Sequence, residues 1–186
     1  VLGLFGTLKA QDVVTIDGTV GGFKPATATV APVNNYKDYS ISQVYYTVDE
    51  IAKSSGTLTS ISFKTETGDY PTTRNIDVYL LNTEEYYFSA QTTKAVTAQD
   101  LVFSGEVEFV ENSWVQIDLD KDFEYTGGNL LVCVNDKTGV DGNKCYFHTF
   151  EGNLSSDAGI LRRCLQKSNS SELFDPTSSI AATYDK

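Results

Sequence analysis

The sequence predicts an all-β, single-domain, two-sheet antiparallel β-sandwich. Three observations predict it. The composition is 12% aromatic, with 11 Tyr and 10 Phe but no Met, and aromatic side chains of that density suit pleated, half-buried surfaces. From Phe23 onward, short runs alternate apolar and polar residues and are separated by Gly, Asn, Asp and Ser clusters, the spacing of a sandwich or barrel. Helical periodicity is confined to two short stretches, Val48–Lys53 and Thr97–Leu101. At 186 residues the chain can bury a two-layer core without metals or many disulfides.

The first ten residues, Val1 to Ala10, are apolar and end in a small residue before Gln11-Asp12, the pattern of a signal-peptide remnant. An apolar first strand is the other reading, weakened by Gly3 and Gly6. Residues 11–22 then form a linker or edge segment, in which Asp17-Gly18 and Gly21-Gly22 mark turns. The sandwich module spans 23–186.

Its expected strands are Tyr39–Thr47, Leu58–Lys64, Ile76–Leu81, Asn129–Asn135, Lys144–Phe150 and Gly159–Leu165. Val102–Leu119 reads as a hairpin turning at Glu111-Asn112-Ser113. Val107 and Phe109 face inward opposite Glu106 and Glu108, and Val115, Ile117 and Leu119 face inward opposite Gln116 and Asp118. The unbroken run Leu130-Leu-Val-Cys-Val134 reads as a central strand covered on both faces.

With 25 acidic against 14 basic residues the net charge is -11, which repels phosphate backbones and argues against a nucleic-acid partner. After the N-terminal segment no run approaches the roughly 20 apolar residues of a membrane span, so no membrane insertion is expected. His148 is the single histidine. It lies within an aromatic strand, a setting more structural than catalytic.

Cys133, Cys145 and Cys164 fall on three consecutive expected strands, none in a zinc-type pair. In an exported protein Cys133 and Cys145 are the natural disulfide, since their strands flank the turn region 136–143; three small buried hydrophobes are the alternative. The row Asp118, Asp120, Asp122, Glu124 lacks the glycine and the twelfth-position carboxylate of an EF-type loop and reads as a solvated acidic strand face. Asp136 and Asp141, with Asn135, are a geometrically freer calcium pair.

No Gly-x-Ser-x-Gly elbow or paired-carboxylate strand motif marks an enzyme. An enzyme reading would require two carboxylates about 5–9.5 Å apart in a groove, or His148 bonded to a nucleophile. Tyrosines are the more suggestive surface feature. Tyr70, Tyr86 and Tyr87 sit in polar surroundings and are the candidate ligand contacts, because exposed aromatic rings stack on sugars and anchor protein interfaces.

The segments Pro32–Ile51, Gly56-Thr-Leu-Thr-Ser-Ile-Ser-Phe63, Arg74-Asn-Ile-Asp-Val-Tyr-Leu80, Val102-Phe-Ser-Gly105 and Trp114 through Phe123-Glu-Tyr-x-Gly-x-Asn-Leu130 follow one another in order. Together, over about Ala31 to Gln166, they resemble adhesin-like β-sandwich modules of secreted proteins from anaerobic Gram-negative bacteria, distantly similar to the cleaved-adhesin domains of gingipains. The resemblance implies a jelly-roll-like sandwich in a secreted or cell-surface, non-catalytic module that binds glycan or a host or matrix protein. It also implies neighbouring domains in a longer chain. A structural accessory domain of a larger exported hydrolase, protease or glycosidase, is the alternative. Gln43 and Trp114 look like fold determinants by the same resemblance. Similar modules continue into one more strand, so the stop at Ala181–Lys186 leaves an unpaired edge as an expectation.

Overall fold

A computed structural model describes residues 12–16, 24–151 and 163–184. The segment 1–10 read as a signal remnant, the turns expected within 17–22 and the first part of the strand expected at Gly159–Leu165 lie outside the described residues. The described strands are β1 (Lys24–Thr29), β2 (Tyr39–Tyr46), β3 (Gly56–Gly68), β4 (Thr72–Thr83), β5 (Leu101–Phe109), β6 (Trp114–Tyr125), β7 (Asn129–Asp136), β8 (Cys145–Glu151), β9 (Cys164–Asn169) and β10 (Thr183–Tyr184), with one helical turn, α1 (Val48–Ile51). They form two antiparallel sheets, β1-β8-β3-β6 and β10-β9-β2-β7-β4-β5. The described part of the last expected element is β9, which runs on beyond Leu165 to Asn169.

Alternation decides which side chains meet between the sheets. Ile76, Val78 and Leu80 from β4, Val107 and Phe109 from β5, Val115 and Ile117 from β6, and Leu130, Val132 and Val134 from β7 share the main core. Phe109 and Phe147 meet edge to face across the two layers at 5.2 Å between centroids, a pair that adds about 0.5–1.5 kcal/mol beyond its burial.

β5 and β6 are not the hairpin expected from the sequence. β5 pairs with β4, whereas β6 pairs with β3 in the other sheet. The Glu111-Asn112-Ser113 turn therefore carries the chain from one layer to the other. The face assignments hold, since Val107, Phe109, Val115 and Ile117 are buried and Glu106, Glu108, Gln116 and Asp118 are exposed. Along the seam Asp120 Oδ2 accepts the backbone N–H of Ser104 at 2.9 Å, and Lys121 Nζ donates to the carbonyl of Gln99 at 2.8 Å. Those side chains cap hydrogen-bonding groups beside the β5 edge, which otherwise invites pairing with another chain.

Every residue of β7 is buried. Leu130, Val132 and Val134 enter the main core, while Leu131 and Cys133 enter two smaller clusters on the opposite face of the six-stranded sheet. That second face is covered by the β4–β5 connection and by the chain following β9. The two covers are tied by the Thr92–Ala181 bridge and by Thr93 N–H to Ile180 O at 2.9 Å and Val96 N–H to Pro176 O at 2.9 Å. Phe88, Val96 and Phe174 supply their buried apolar contacts. Pairing covers both sides of β7 while the two layers cover its faces, hence its continuous apolar sequence.

α1 occupies the first of the two expected helical stretches. At its start Thr47 donates its N–H and its hydroxyl to Glu50 Oε2 at 2.8 and 3.0 Å, the carboxylate half of a capping box, and Glu50 also receives Arg163 at 2.6 Å. The second stretch is a turn without helix, held by Asp100 Oδ2 accepting from the N–H and hydroxyl of Thr97. Gly127, at φ 90°, makes the turn between β6 and β7; a Cβ there would stand 2.5 Å from the Ser54 carbonyl.

The expected Cys133–Cys145 disulfide is not formed. Cys133 lies in the six-stranded sheet and Cys145 in the four-stranded one, and all three cysteines are buried in thiol form. Cys133 packs with Ile41, Tyr79, Val96 and Phe174, where burial pushes its pKa up to about 12. Cys145 donates to the Asp69 carbonyl at 3.3 Å. A thiol-specific reagent is expected to leave the native protein unmodified for hours at neutral pH and to titrate three thiols once the chain is unfolded. Two thiols or fewer under denaturing, non-reducing conditions would restore a disulfide.

Candidate functional site

Of the three tyrosines put forward from the sequence, the structure brings two together. Tyr86 and Tyr87 are 50% and 37% exposed, and their rings meet edge to face at 4.9 Å. They stand at the start of the β4–β5 connection, beside a groove of about 490 Å³ lined by Tyr45, Glu85, Phe88, Thr92 and Lys94 among others. Tyr70 belongs elsewhere. Its ring packs against the main core and its hydroxyl donates to the Tyr146 carbonyl at 2.6 Å, so it is a packing residue of the β3–β4 corner.

The loop that displays Tyr86 and Tyr87 is pinned from beneath. Alternation along β2 turns Ile41, Gln43 and Tyr45 toward the outer face of the six-stranded sheet, under the cover. Tyr45 Oη donates to Glu85 Oε2 at 2.7 Å, and its ring lies 4.5 Å from that of Phe88. Gln43 bonds Lys94 twice: its amide nitrogen donates to the Lys94 carbonyl at 2.6 Å, and its amide oxygen accepts the Lys94 N–H at 2.8 Å. Asn129, at the start of β7, donates to the Glu84 carbonyl at 3.0 Å. The segment between Glu84 and Lys94 is thus fixed at both ends and at Phe88, while the two tyrosine rings remain in solvent.

The electrostatics of the groove centre on Glu85. Its Oε2 takes the Tyr45 hydroxyl and lies 3.2 Å from Lys94 Nζ. The Tyr45 hydrogen bond, aided by Lys94, holds the Glu85 carboxyl below the usual carboxylate range. Burial raises the Tyr45 hydroxyl in turn, with Glu85 adding to the effect. Glu84 is exposed beside this cluster.

No protein-family model, curated protein or solved structure matches the chain. The functional reading therefore rests on the geometry of this surface.

The calcium pair expected from the sequence is not assembled. Asp136 is fully buried: its Oδ2 takes Arg74 Nε at 3.1 Å and Nη2 at 2.6 Å, and its Oδ1 takes the N–H and hydroxyl of Thr138. Both oxygens are occupied, which leaves no ligand position for an ion. Asp141 is exposed in the β7–β8 loop. Among the described residues no group of three or more His, Cys, Asp or Glu is placed to hold a metal. His148 Nδ1 meets Glu66 Oε1 on the neighbouring strand, both side chains about a quarter exposed, so its contact is a carboxylate clasp between β8 and β3. The acidic row of β6 is exposed, as a solvated face would be. Trp114, expected as a fold determinant, is 56% exposed. Among the described residues no helix is long and apolar enough to cross a membrane.

Sequence reasoning found the tyrosine pair but missed its supports. Gln43 carried the readable signal: a polar amide that shares one face of a buried strand with Ile41 and Tyr45 must find partners. Nothing in the spacing says that those partners are the backbone of Lys94.

Proposed function

We propose that this chain is a non-catalytic binding module, secreted or displayed at a cell surface, whose Tyr86–Tyr87 groove holds a saccharide. The observation that supports the reading is the contrast among tyrosines. Tyr45, Tyr79 and Tyr125 are buried, whereas Tyr86 and Tyr87 stand together in solvent on a loop held by buried side chains. Exposed aromatic rings carry an unfavourable hydration free energy, which is relieved against a flat, partly apolar ligand face. Pre-fixing the loop removes ordering entropy that binding would otherwise cost. Carboxylates and hydroxyls around the rings provide acceptors and donors for sugar hydroxyls.

The expected result is that an oligosaccharide array finds ligands for the full chain, and that Tyr86→Ala and Tyr87→Ala each weaken binding by about tenfold or more with unchanged thermal stability. A folded chain that binds no saccharide would sink this reading. The accessory-domain reading, supported by the tyrosines spent on packing, would then stand in its place.

A further inference from the structure

We infer that the groove selects its ligands by charge, accepting neutral and amino-bearing saccharides and disfavouring those that carry carboxylates or sulfates; this rests on the saccharide-binding reading above. Three charged residues line the groove: Glu84, Glu85 and Lys94. Lys94 is the positive one, and its ammonium is already neutralised by Glu85 at 3.2 Å. Glu85 shares the same oxygen with the Tyr45 hydroxyl, so this carboxylate stays ionised while it is engaged from below.

Glu84 differs. Its backbone carbonyl is taken by Asn129; the residue is exposed and lines the groove, and its carboxylate, on the side of Gly128, makes no described hydrogen bond or ion pair. The lining thus carries a net negative charge on a protein of net charge -11.

The consequences for a ligand follow from charge and ring chemistry. An approaching carboxylate or sulfate meets like charge at the rim and finds no uncompensated cation within the lining. A hydroxyl can donate to Glu84. An ammonium can pair with Glu84 and also lie against the face of Tyr86 or Tyr87, where the ring quadrupole attracts cations. At contact distances in a solvent-exposed groove this difference corresponds to about tenfold in affinity between cationic and anionic ligands of one shape. Added salt reduces it.

Calorimetric titration of the full chain with three tetrasaccharides of one backbone tests the inference: a glucosamine oligomer, its N-acetylated counterpart and its N-sulfated counterpart. The expected order at pH 6 and low salt, where the glucosamine amine is protonated and Glu84 is ionised, is amine-bearing, then neutral, then acidic, with the first and last separated by about tenfold. Glu84→Gln is expected to narrow the ratio between amine-bearing and acidic ligands, and 0.5 M salt should narrow it further. Acidic saccharide bound as tightly as neutral, or more tightly, overturns the charge selection and leaves saccharide binding intact. Failure of all three to bind overturns both.

Discussion

Arg74→Ala is expected to destabilise the protein by about 3–5 kcal/mol at neutral pH, the range for removing one partner from a buried ion pair. The side chains of Arg74 and Asp136 are 1% and 0% exposed. The guanidinium also donates to the carbonyls of Val140 at 2.9 Å and Lys37 at 2.7 Å, so it joins β4 and β7 to the loops before β2 and after β7. Alanine leaves the Asp136 carboxylate buried without its counter-charge and both of those loop contacts unmade.

The loss should also depend on pH. Burial raises the Asp136 pKa, while Arg74 and Thr138 pull it down. Without Arg74 the burial effect acts against less opposition, so the folded variant takes up a proton at a pH where the unfolded chain, near the ordinary value of about 4, remains ionised. Where the folded state binds more protons, stability falls as pH rises. The variant should therefore regain part of its loss on going from pH 7 to pH 5, as the carboxyl becomes neutral and keeps its bond to Thr138. Denaturant midpoints of both proteins at the two pH values check this. An equal deficit at pH 7 and pH 5, or a deficit below about 1 kcal/mol, would mean that the pair is not the buried hub described.

The same pair shows where sequence reading stops. Asn135-Asp136 at the end of an apolar strand looks like an ion site because its partner lies 62 residues earlier, and no local pattern links the two. Alternation on β5 and β6 correctly sorted inner from outer residues, since period two follows from the pleat itself. It could not tell a hairpin from a crossing between layers, because both satisfy the same alternation at the Glu111-Asn112-Ser113 turn. The apolar run on β7 was legible as doubly buried. What covers its outer face was not, since Phe88, Val96 and Phe174 lie in connections with no regular period. Tyr86 and Tyr87 could be picked as surface aromatics; the groove beside them depends on β2 side chains reaching the β4–β5 connection.

Gln43→Leu tests that dependence, with an expected loss of about 2–4 kcal/mol in stability. Leucine matches the volume of the buried amide closely, so packing against the surrounding cluster changes little. The cost falls on Lys94, whose N–H and carbonyl lose their partners at 2.8 and 2.6 Å beneath the covering loop; each unsatisfied group costs about 1–3 kcal/mol, partly relieved where water reaches it. Relief by water requires the loop to lift from β2. The variant should thus show faster proteolysis between Glu84 and Lys94, and weaker saccharide binding although both tyrosines are present. Tyr86→Ala should show the converse, weak binding with the loop protected. If Gln43→Leu lowers stability while binding and protection stay at the wild-type level, the amide is a packing element of the sheet and the display of Tyr86 and Tyr87 has another source.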